Sequence, residues 1–218
     1  MKVKVTKNGP YMVSGNIPLD EIKIIKENGH YKYAQGKKYD TKEKYFLCRC
    51  GKSSDKPFCD GTHAKKGFEG TCKSTNIKYE DNLKRYENDY IILLDNEDLC
   101  SSARFCTTDN TDIWSQIEEN KKENIEQIKK MAFNCPSGRL TLIEKEEAIE
   151  PNLDNKISII QDVHKKCGSA LYIQGDIEVL DEEDMPYENR NRTTLCRCGK
   201  SRNKPYCDGS HIKENFQG

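Results

Sequence analysis

The same sixteen-residue block occurs twice in this chain, and it constrains the fold more than any other feature. The first copy runs from Cys48 to His63 and the second from Cys196 to His211, with twelve of sixteen positions identical. Each copy places three cysteines and one histidine at the spacing C-x-C-x8-C-x3-H. Such a four-ligand set favours zinc, copper(I) or an iron–sulfur centre over calcium or magnesium. The sequence therefore predicts two metal centres.

The ligand spacing separates the possible metals further. Two cysteines with one residue between them do not form a zinc-ribbon knuckle, which has two or more residues between its thiolates. A C-x-C pair suits the edge of a polynuclear cluster better. Pro57 restricts the backbone so that Cys59 returns towards the first pair. The Asp-Gly-Thr turn that follows predicts a short helix, one turn of which presents His63 beside Cys59.

The composition limits the classes of protein to which this chain can belong. Its 218 residues are 34% hydrophobic and 33% charged, so its cores are small and metal centres would add stability. The 36 basic and 36 acidic residues balance, which argues against a nucleic-acid or membrane partner. No stretch resembles a membrane span, secretory signal or transit peptide, so we expect a cytoplasmic protein. Eleven cysteines, an odd number, favour metal binding over a closed disulfide framework.

The repeat extends upstream of the cysteines. Tyr11–Leu19 and Leu171–Val179 share an apolar run, a glycine, a polar residue and a second apolar stretch, which predicts two strands joined near the glycine. We predict an N-terminal β unit with a metal loop (1–71), a different central segment (72–155) and a C-terminal β unit with a metal loop (156–218). The predicted class is α+β, with β-rich units that each carry a metal loop and a short helix.

The central segment has its own pattern of strands and helix. Tyr90–Leu94 and Thr141–Ile143 are predicted strands. Between them, apolar residues at near-helical spacing predict one amphipathic helix that ends near Asn134, before a proline and a glycine. The apolar residues of this helix are Ile117, Ile125, Ile128 and Met131. A small α+β unit is therefore expected between the two repeats.

The two blocks resemble the CDGSH iron–sulfur family. The second block carries the family's literal Cys-Asp-Gly-Ser-His from Cys207 to His211, and the first differs only by Thr62 in place of serine. The resemblance implies one [2Fe–2S] cluster per motif, held by three cysteines and one histidine. The implied ligands are Cys48, Cys50, Cys59 and His63 in the first motif and Cys196, Cys198, Cys207 and His211 in the second. A structural zinc site with the same ligands is the alternative.

Three further cysteines form a second constellation, and they are Cys100, Cys106 and Cys135. A cysteine followed by proline is similar to the closing ligand of bacterial ferredoxins. The segment 99–142 resembles the divergent single-cluster ferredoxin-like domains that occur beside CDGSH motifs, which implies a third cluster, [4Fe–4S] or [3Fe–4S]. A cubane normally needs four cysteines, and Cys72 and Cys167 are candidates for the fourth. The alternative is that the three cysteines are small buried hydrophobes.

Several other residues stand out without forming a site. His30 and His164 lie among polar residues and are predicted to be solvated. Arg49 and Arg197 lie between the paired cysteines, and we expect them to point outward, where they offset cluster charge or guide an electron partner. Trp114 is predicted to anchor the core beside the central helix.

The histidine ligand suggests the function. An imidazole is neutral, raises the reduction potential relative to thiolate and can be protonated. We therefore expect one-electron transfer with a redox partner, or redox sensing. The sequence leaves the oligomeric state open, and a monomer whose two motifs pair around a pseudo-twofold axis is consistent with it. Storage of a cluster and its transfer to an apo-protein is the alternative. Nucleotide-binding and hydrolase motifs are absent, so an enzyme is not expected, although an iron left open by three central cysteines would offer a substrate position.

Overall fold

The computed structural model describes residues 1–72 and 78–218. Its strands are β1 (Lys2–Val5), β2 (Tyr11–Ser14), β3 (Leu19–Glu27), β4 (His30–Tyr39), β5 (Lys44–Leu47), β6 (Lys84–Glu87), β7 (Ile92–Asp95), β8 (Leu140–Glu144), β9 (Glu147–Ile149), β10 (Lys156–Asp162), β11 (Cys167–Gln174), β12 (Glu178–Leu180) and β13 (Arg192–Leu195). Its α-helices are α1 (Thr62–Lys65), α2 (Ile113–Glu118), α3 (Ile125–Phe133) and α4 (Ser210–Lys213). The predicted α+β class is confirmed. No helix in these ranges is long and apolar enough to cross a membrane.

The two repeats exchange a strand. One sheet has the order β12-β1-β2-β5, so three strands of the first repeat take up β12 from the second. The other has the order β13-β11-β10-β3-β4, so three strands of the second repeat take up β3 from the first, extended by β4. Both exchanged strands pair in parallel, with Val3 opposite Val179 and Ile157 opposite Leu19. The exchange is reciprocal, which is the arrangement that a pseudo-twofold relation requires.

One hydrophobic core joins the two sheets. Alternate residues of the strands point into it, as the two-residue period of a strand requires. Its buried members include Val3, Val13, Ile157, Ile159, Leu171 and Leu195, which come from both repeats. The metal loops follow directly after β5 and β13 of these sheets, so the shared core holds both loops in place. The predicted boundaries near residues 72 and 155 stay a prediction, and residues 73–77 lie outside the described part of the chain.

The central segment forms a third sheet, β6-β7-β8-β9, with α2 and α3 beside it. The two predicted strands appear as β7, which begins two residues later and ends one residue later than predicted, and β8, which is one residue longer at each end. The prediction of one continuous helix is wrong. Asn120 has a left-handed φ of 51° and a 3-10 turn spans Lys122–Asn124, so the helical path breaks between α2 and α3. The apolar periodicity is still satisfied, because the four residues on which it rested are all buried in one cluster.

A buried arginine fastens the central segment to the second repeat. Arg192 of β13 is 1% exposed, and its guanidinium donates to the backbone carbonyls of Ala132, Cys135 and Leu140. It also forms an ion pair of 2.7 Å with Glu150. Since these acceptors lie in α3, in the loop that follows it and at the start of β8, one side chain connects three parts of the central segment to the sheet.

Replacement of Arg192 by Met should destabilise the whole protein. Several buried carbonyls and the carboxylate of Glu150 would lose their donors, so we expect the free energy of unfolding to fall by about 3 kcal/mol. Arg85→Met is the control, because Arg85 pairs with Glu87 at the surface and should change stability by less than about 1 kcal/mol. Urea unfolding followed by circular dichroism measures both. Equal losses in the two variants would contradict the role given to Arg192.

Candidate metal centres

Backbone hydrogen bonds set the shape of each metal loop. The N–H of Cys48 donates to the carbonyl of Pro57 at 2.8 Å, and the N–H of Cys59 donates to the carbonyl of Phe46 at 3.0 Å. The same two bonds recur in the second loop, at 2.7 and 3.0 Å. The peptide bonds before Pro57 and Pro205 are cis in both. The returning segment therefore pairs with the end of the preceding strand and brings the third cysteine back to the first two.

A carboxylate then ties the loop to the short helix. Asp60 accepts the backbone N–H of Ser54 at 2.8 Å and that of Thr62 at 3.0 Å, and these bonds hold its pKa well below the usual range. Asp208 accepts the matching pair of N–H groups in the second loop. The helix begins at Thr62, so Cys59 lies before it. The prediction that one helical turn presents both Cys59 and His63 is therefore wrong. Of the four candidate ligands of this loop, only His63 lies on the helix.

The eight candidate ligands form four close pairs. The Sγ atoms of Cys48 and Cys50 are 3.7 Å apart, and Cys59 Sγ lies 3.3 Å from His63 Nδ1. The second loop repeats this arrangement, with 3.7 Å between its paired sulfurs and 3.4 Å between Cys207 Sγ and the histidine. Two ligands at about 2.3 Å from one tetrahedral metal lie at about this separation. Within the described ranges, no three His, Cys, Asp or Glu residues are arranged to hold a single ion. Each loop thus offers two pairs of ligands and not one four-ligand site.

The arginines between the paired cysteines point inward, so the prediction that they point outward is wrong. Arg49 is 2% exposed and Arg197 is 1% exposed. The guanidinium of Arg49 donates to the carbonyls of Thr6, Gly9 and Gly70, so it secures the segments on either side of the first loop. These are backbone acceptors, which the sequence pattern around the cysteines does not reveal.

The guanidinium of Arg197 makes fewer hydrogen bonds than that of Arg49. Its Nε donates to the carbonyl of Ser169 at 3.3 Å, while its Nη2 is buried without a hydrogen-bond partner among the described residues. Burial lowers the pKa of Arg197 to about 10, and the nearby thiol of Cys48 opposes this change. A buried cation with an open donor beside thiols fits a site designed to hold a negatively charged group. The residues present therefore fit an anionic metal–thiolate centre.

The two histidines differ in their surroundings. His211 is 2% exposed, and its Nε2 lies 3.0 Å from the hydroxyl of Ser169, while its Nδ1 faces Cys207. Burial lowers the pKa of His211 to about 4, so the ring is neutral, the metal-binding form, at neutral pH. The matching position in the first repeat is Gly9, whose carbonyl accepts from Arg49 as that of Ser169 accepts from Arg197. Only a comparison of the upstream strands of the repeats would have singled out Ser169.

The two loops meet backbone to backbone through glycines. Gly51 has a φ of +74°, and a Cβ added there would lie 2.5 Å from the carbonyl oxygen of Cys198. Gly199 has a φ of +76°, and its Cβ would lie 2.7 Å from the carbonyl oxygen of Cys50. Only glycine suits both the left-handed backbone and the close approach. The first and second sites are therefore neighbours.

The central cysteines surround one cavity. Cys100, Cys106 and Cys135 line a space of about 20 Å³. Burial raises the pKa of the Cys106 thiol to about 12, and Cys135 and Cys100 add to that rise. The structure places the two candidates for a fourth ligand elsewhere: Cys72 lies 3.7 Å from Arg49, and Cys167 begins β11. Neither lines the cavity.

The loop that carries Cys100 also covers the second metal loop. A Cβ on Gly209 would lie 2.3 Å from the hydroxyl of Ser102, and Asn203 donates to the carbonyl of Asp98 at 2.9 Å. Cys207 is consequently 2% exposed, whereas Cys59 in the first loop is only half-buried. The three sites form a row in which the second CDGSH-like loop lies between the other two.

The remaining singled-out residues lie away from these sites. His30 and His164 are both exposed, as predicted, although His30 begins a strand. Trp114 projects from α2, donates to the carboxylate of Asp95 at 3.2 Å and stacks with Arg139. It therefore anchors the central core, as the sequence indicated.

Comparison with known proteins agrees with this layout. The family model described as "Iron-binding zinc finger CDGSH type" matches residues 8–64 and 169–212, and the one described as "Divergent 4Fe-4S mono-cluster" matches residues 86–145. A CDGSH iron-sulfur domain-containing protein 2 homolog of Drosophila erecta is 42% identical over 41 residues, which are 19% of this chain and 28% of the relative. The Drosophila ananassae homolog is 44% identical over 39 residues, 18% of this chain and 26% of the relative. The chain thus spans about a quarter of the length of these relatives, and no solved structure matches it.

Alanine at Gly51 should force the two loops apart. In this variant alanine must adopt a left-handed φ, and its Cβ overlaps with the carbonyl oxygen of Cys198. We therefore expect the free energy of unfolding to fall by about 3 kcal/mol. Gly67→Ala is the matched control, since Gly67 also has a positive φ of 57° but open space around it. Its loss should be about 1 kcal/mol. Urea unfolding of both variants measures the difference, and equal losses would show that the loops do not touch.

Proposed function

We propose that this chain, whose two repeats match the CDGSH family model, is an iron–sulfur protein that holds a [2Fe–2S] cluster in each repeated loop and a third cluster in the central segment. We propose further that it acts in one-electron transfer or redox sensing. The proposed [2Fe–2S] ligands are Cys48, Cys50, Cys59 and His63 in the first loop and Cys196, Cys198, Cys207 and His211 in the second. The proposed thiolates of the third site are Cys100, Cys106 and Cys135.

The pairing of the ligands carries this proposal. A structural zinc ion needs all four donors around one point. In each loop the donors instead come as two pairs, 3.7 Å apart for the sulfurs of Cys48 and Cys50 and 3.3 Å apart for Cys59 and His63. Each pair suits one metal of a two-metal centre. This favours a dinuclear cluster over the zinc alternative.

Charge in the surroundings supports the same choice. Three thiolates and a neutral imidazole, with a [2Fe–2S] core, make a centre of net negative charge. Arg49 and Arg197 are both buried and each follows the first cysteine of a pair in sequence. The guanidinium of Arg197 lies within electrostatic range of Cys48 and Cys198. The unpaired Nη2 of Arg197 leaves one donor free of protein partners in the described structure. These cations would stabilise the negative charge and keep the reduced form accessible.

The arrangement of the sites favours a carrier. Such clusters, when bound, supply reversible one-electron chemistry. The Gly51–Cys198 and Gly209–Ser102 approaches bring three sites into direct succession, and the middle one is buried. A half-buried outer site at Cys59 gives a redox protein partner a place to exchange an electron. A carrier of this kind requires no substrate pocket, so we propose that the chain is not an enzyme, and its cytoplasmic location stays a prediction.

Cluster transfer to an apo-protein is the second candidate. The half-buried positions of Cys59 and His63 favour it, because a ligand pair that solvent reaches is easier to replace by the thiols of an acceptor. The covered second site does not favour it. Cluster transfer is therefore favoured at the first site only.

Iron analysis and potentiometry of anaerobically purified protein test the proposal. We expect about seven or eight irons per chain, matching sulfide, and reversible one-electron reduction followed by electron paramagnetic resonance. About four irons per chain would show that the central segment holds no cluster and would leave the two [2Fe–2S] sites as proposed. A colourless protein that contains zinc would overturn the iron–sulfur assignment, and irreversible reduction would leave cluster transfer as the better function.

Replacement of a ligand histidine by cysteine should change one site at a time. In His63→Cys and His211→Cys, a thiolate replaces a neutral, protonatable ring, so the potential of that cluster should fall by on the order of 100 mV. The altered cluster should also survive to lower pH, because no ligand is lost by protonation of an imidazole. His164→Cys, at an exposed position outside the sites, is the control. Unchanged potentials and unchanged acid loss in both ligand variants would contradict the assignment.

A further inference from the structure

We infer that Ala103 occupies the position of a missing fourth thiolate, so that the central site holds a three-iron [3Fe–4S] cluster. This inference rests on the proposal that the central cysteines bind a cluster. Cys100, Ala103 and Cys106 are spaced as C-x2-A-x2-C, and the Cys-Pro pair at Cys135 follows. Bacterial ferredoxins use the run C-x2-C-x2-C with a closing Cys-Pro. Alanine therefore stands where the second ligand of such a run would be.

The geometry of the loop agrees with this reading. Ala103 lines the same small cavity as Cys100, Cys106 and Cys135. On either side of it, Ser102 and Arg104 have left-handed φ angles of 60° and 67°. Non-glycine residues adopt this conformation rarely, and two of them in three residues curl the backbone tightly. The curled loop brings Ala103 to the cavity together with the two cysteines that flank it.

The side of the cavity at Ala103 is buried and apolar, whereas serines and arginines line its other side. Ala103 is 7% exposed and belongs to one buried cluster with Phe105, Ile24, Ile160 and Tyr172. An iron at this corner would need a fourth ligand from water or a substrate, and a polar ligand on this side of the cavity would be buried against apolar side chains. The corner therefore does not favour retention of a fourth iron.

Nearby polar side chains already have other partners. The carboxylate of Asp95 is paired with Arg139 at 2.5 Å and accepts from Trp114. The hydroxyl of Ser137 lies 3.5 Å from Cys135 Sγ, and Ser102 packs against Gly209 of the second metal loop. None of these groups replaces the missing thiolate. An open iron that binds substrate at this corner is disfavoured for the same reasons.

Electron paramagnetic resonance of oxidised, anaerobically purified protein tests the inference directly. An oxidised [3Fe–4S] cluster has an odd number of unpaired electrons and gives a signal, whereas oxidised [2Fe–2S] and [4Fe–4S] clusters are silent. We expect this signal in the wild-type chain. It should return when the protein is reoxidised after incubation with ferrous iron and a thiol reductant, because the site offers no fourth ligand.

Ala103→Cys should convert the site. Under the same incubation the thiol reductant gives one electron to the oxidised three-iron core, and the reduced core then binds a ferrous ion together with the new thiolate, which releases its proton. The product is a [4Fe–4S] cluster in its 2+ state, so the iron content should rise by about one per chain. The oxidised signal should disappear, and a new one should appear on reduction. Ala170→Cys is the control, because Ala170 is 0% exposed but lies in β11, outside the cavity. That variant should keep the oxidised signal.

The outcomes separate this inference from the proposed function. A silent oxidised wild-type protein with four central irons by Mössbauer spectroscopy would overturn the inference, as would an Ala103→Cys variant that keeps the three-iron signal. Central cysteines without iron would overturn it as well. The signals of the two [2Fe–2S] clusters appear only on reduction, so their presence or absence tests the proposed function independently. If Ala103→Cys does not fold, the wild-type spectrum still decides.

Discussion

Strands β3 and β12 cross between the two repeats, and the position of both metal loops depends on this exchange. Each sheet is complete only with a strand from the other repeat, so the halves share one core. The loops after β5 and β13 are thereby held next to each other. Their contact is close enough that Gly51 and Gly199 lie against the backbone of the opposite loop. Two sites that are far apart in sequence become neighbours through parallel strand pairing.

Burial of positive charge beside this contact is the second constraint. A guanidinium group is costly to bury unless acceptors or an anion surround it. Arg49 donates to three carbonyl oxygens, whereas Arg197 has a buried nitrogen without a hydrogen-bond partner in the part of the chain that the structure describes. The difference means that the two sites are not equivalent, although their loops are nearly identical. Ser169, which contacts His211 and has glycine as its counterpart, adds to this difference.

The central segment makes the second site the interior member of a row. Its cysteine loop packs on Gly209, and Arg192 fastens the end of α3 to β13. The first site has the more exposed candidate ligands. Under the proposed function, exchange with a partner would fall to the first loop and storage of charge to the buried second loop. A three-iron centre next to the buried loop would complete the row with a cluster of a different kind.

The match to the CDGSH family model and the α+β class could be predicted from the sequence, because the spacing of Cys48, Cys50, Cys59 and His63 is local and occurs twice. The assignment of these residues as ligands stays a prediction. The burial of Arg49 and Arg197 could not, since their acceptors are backbone atoms of remote segments. The break between α2 and α3 was missed because apolar periodicity records which residues face the core and not whether the helix is continuous. Only the tertiary structure decided that the two loops are neighbours, because strand exchange between repeats leaves no local pattern in the chain. It also decided that the loop of Cys100 covers the second metal loop and that Ala103 is buried among apolar side chains.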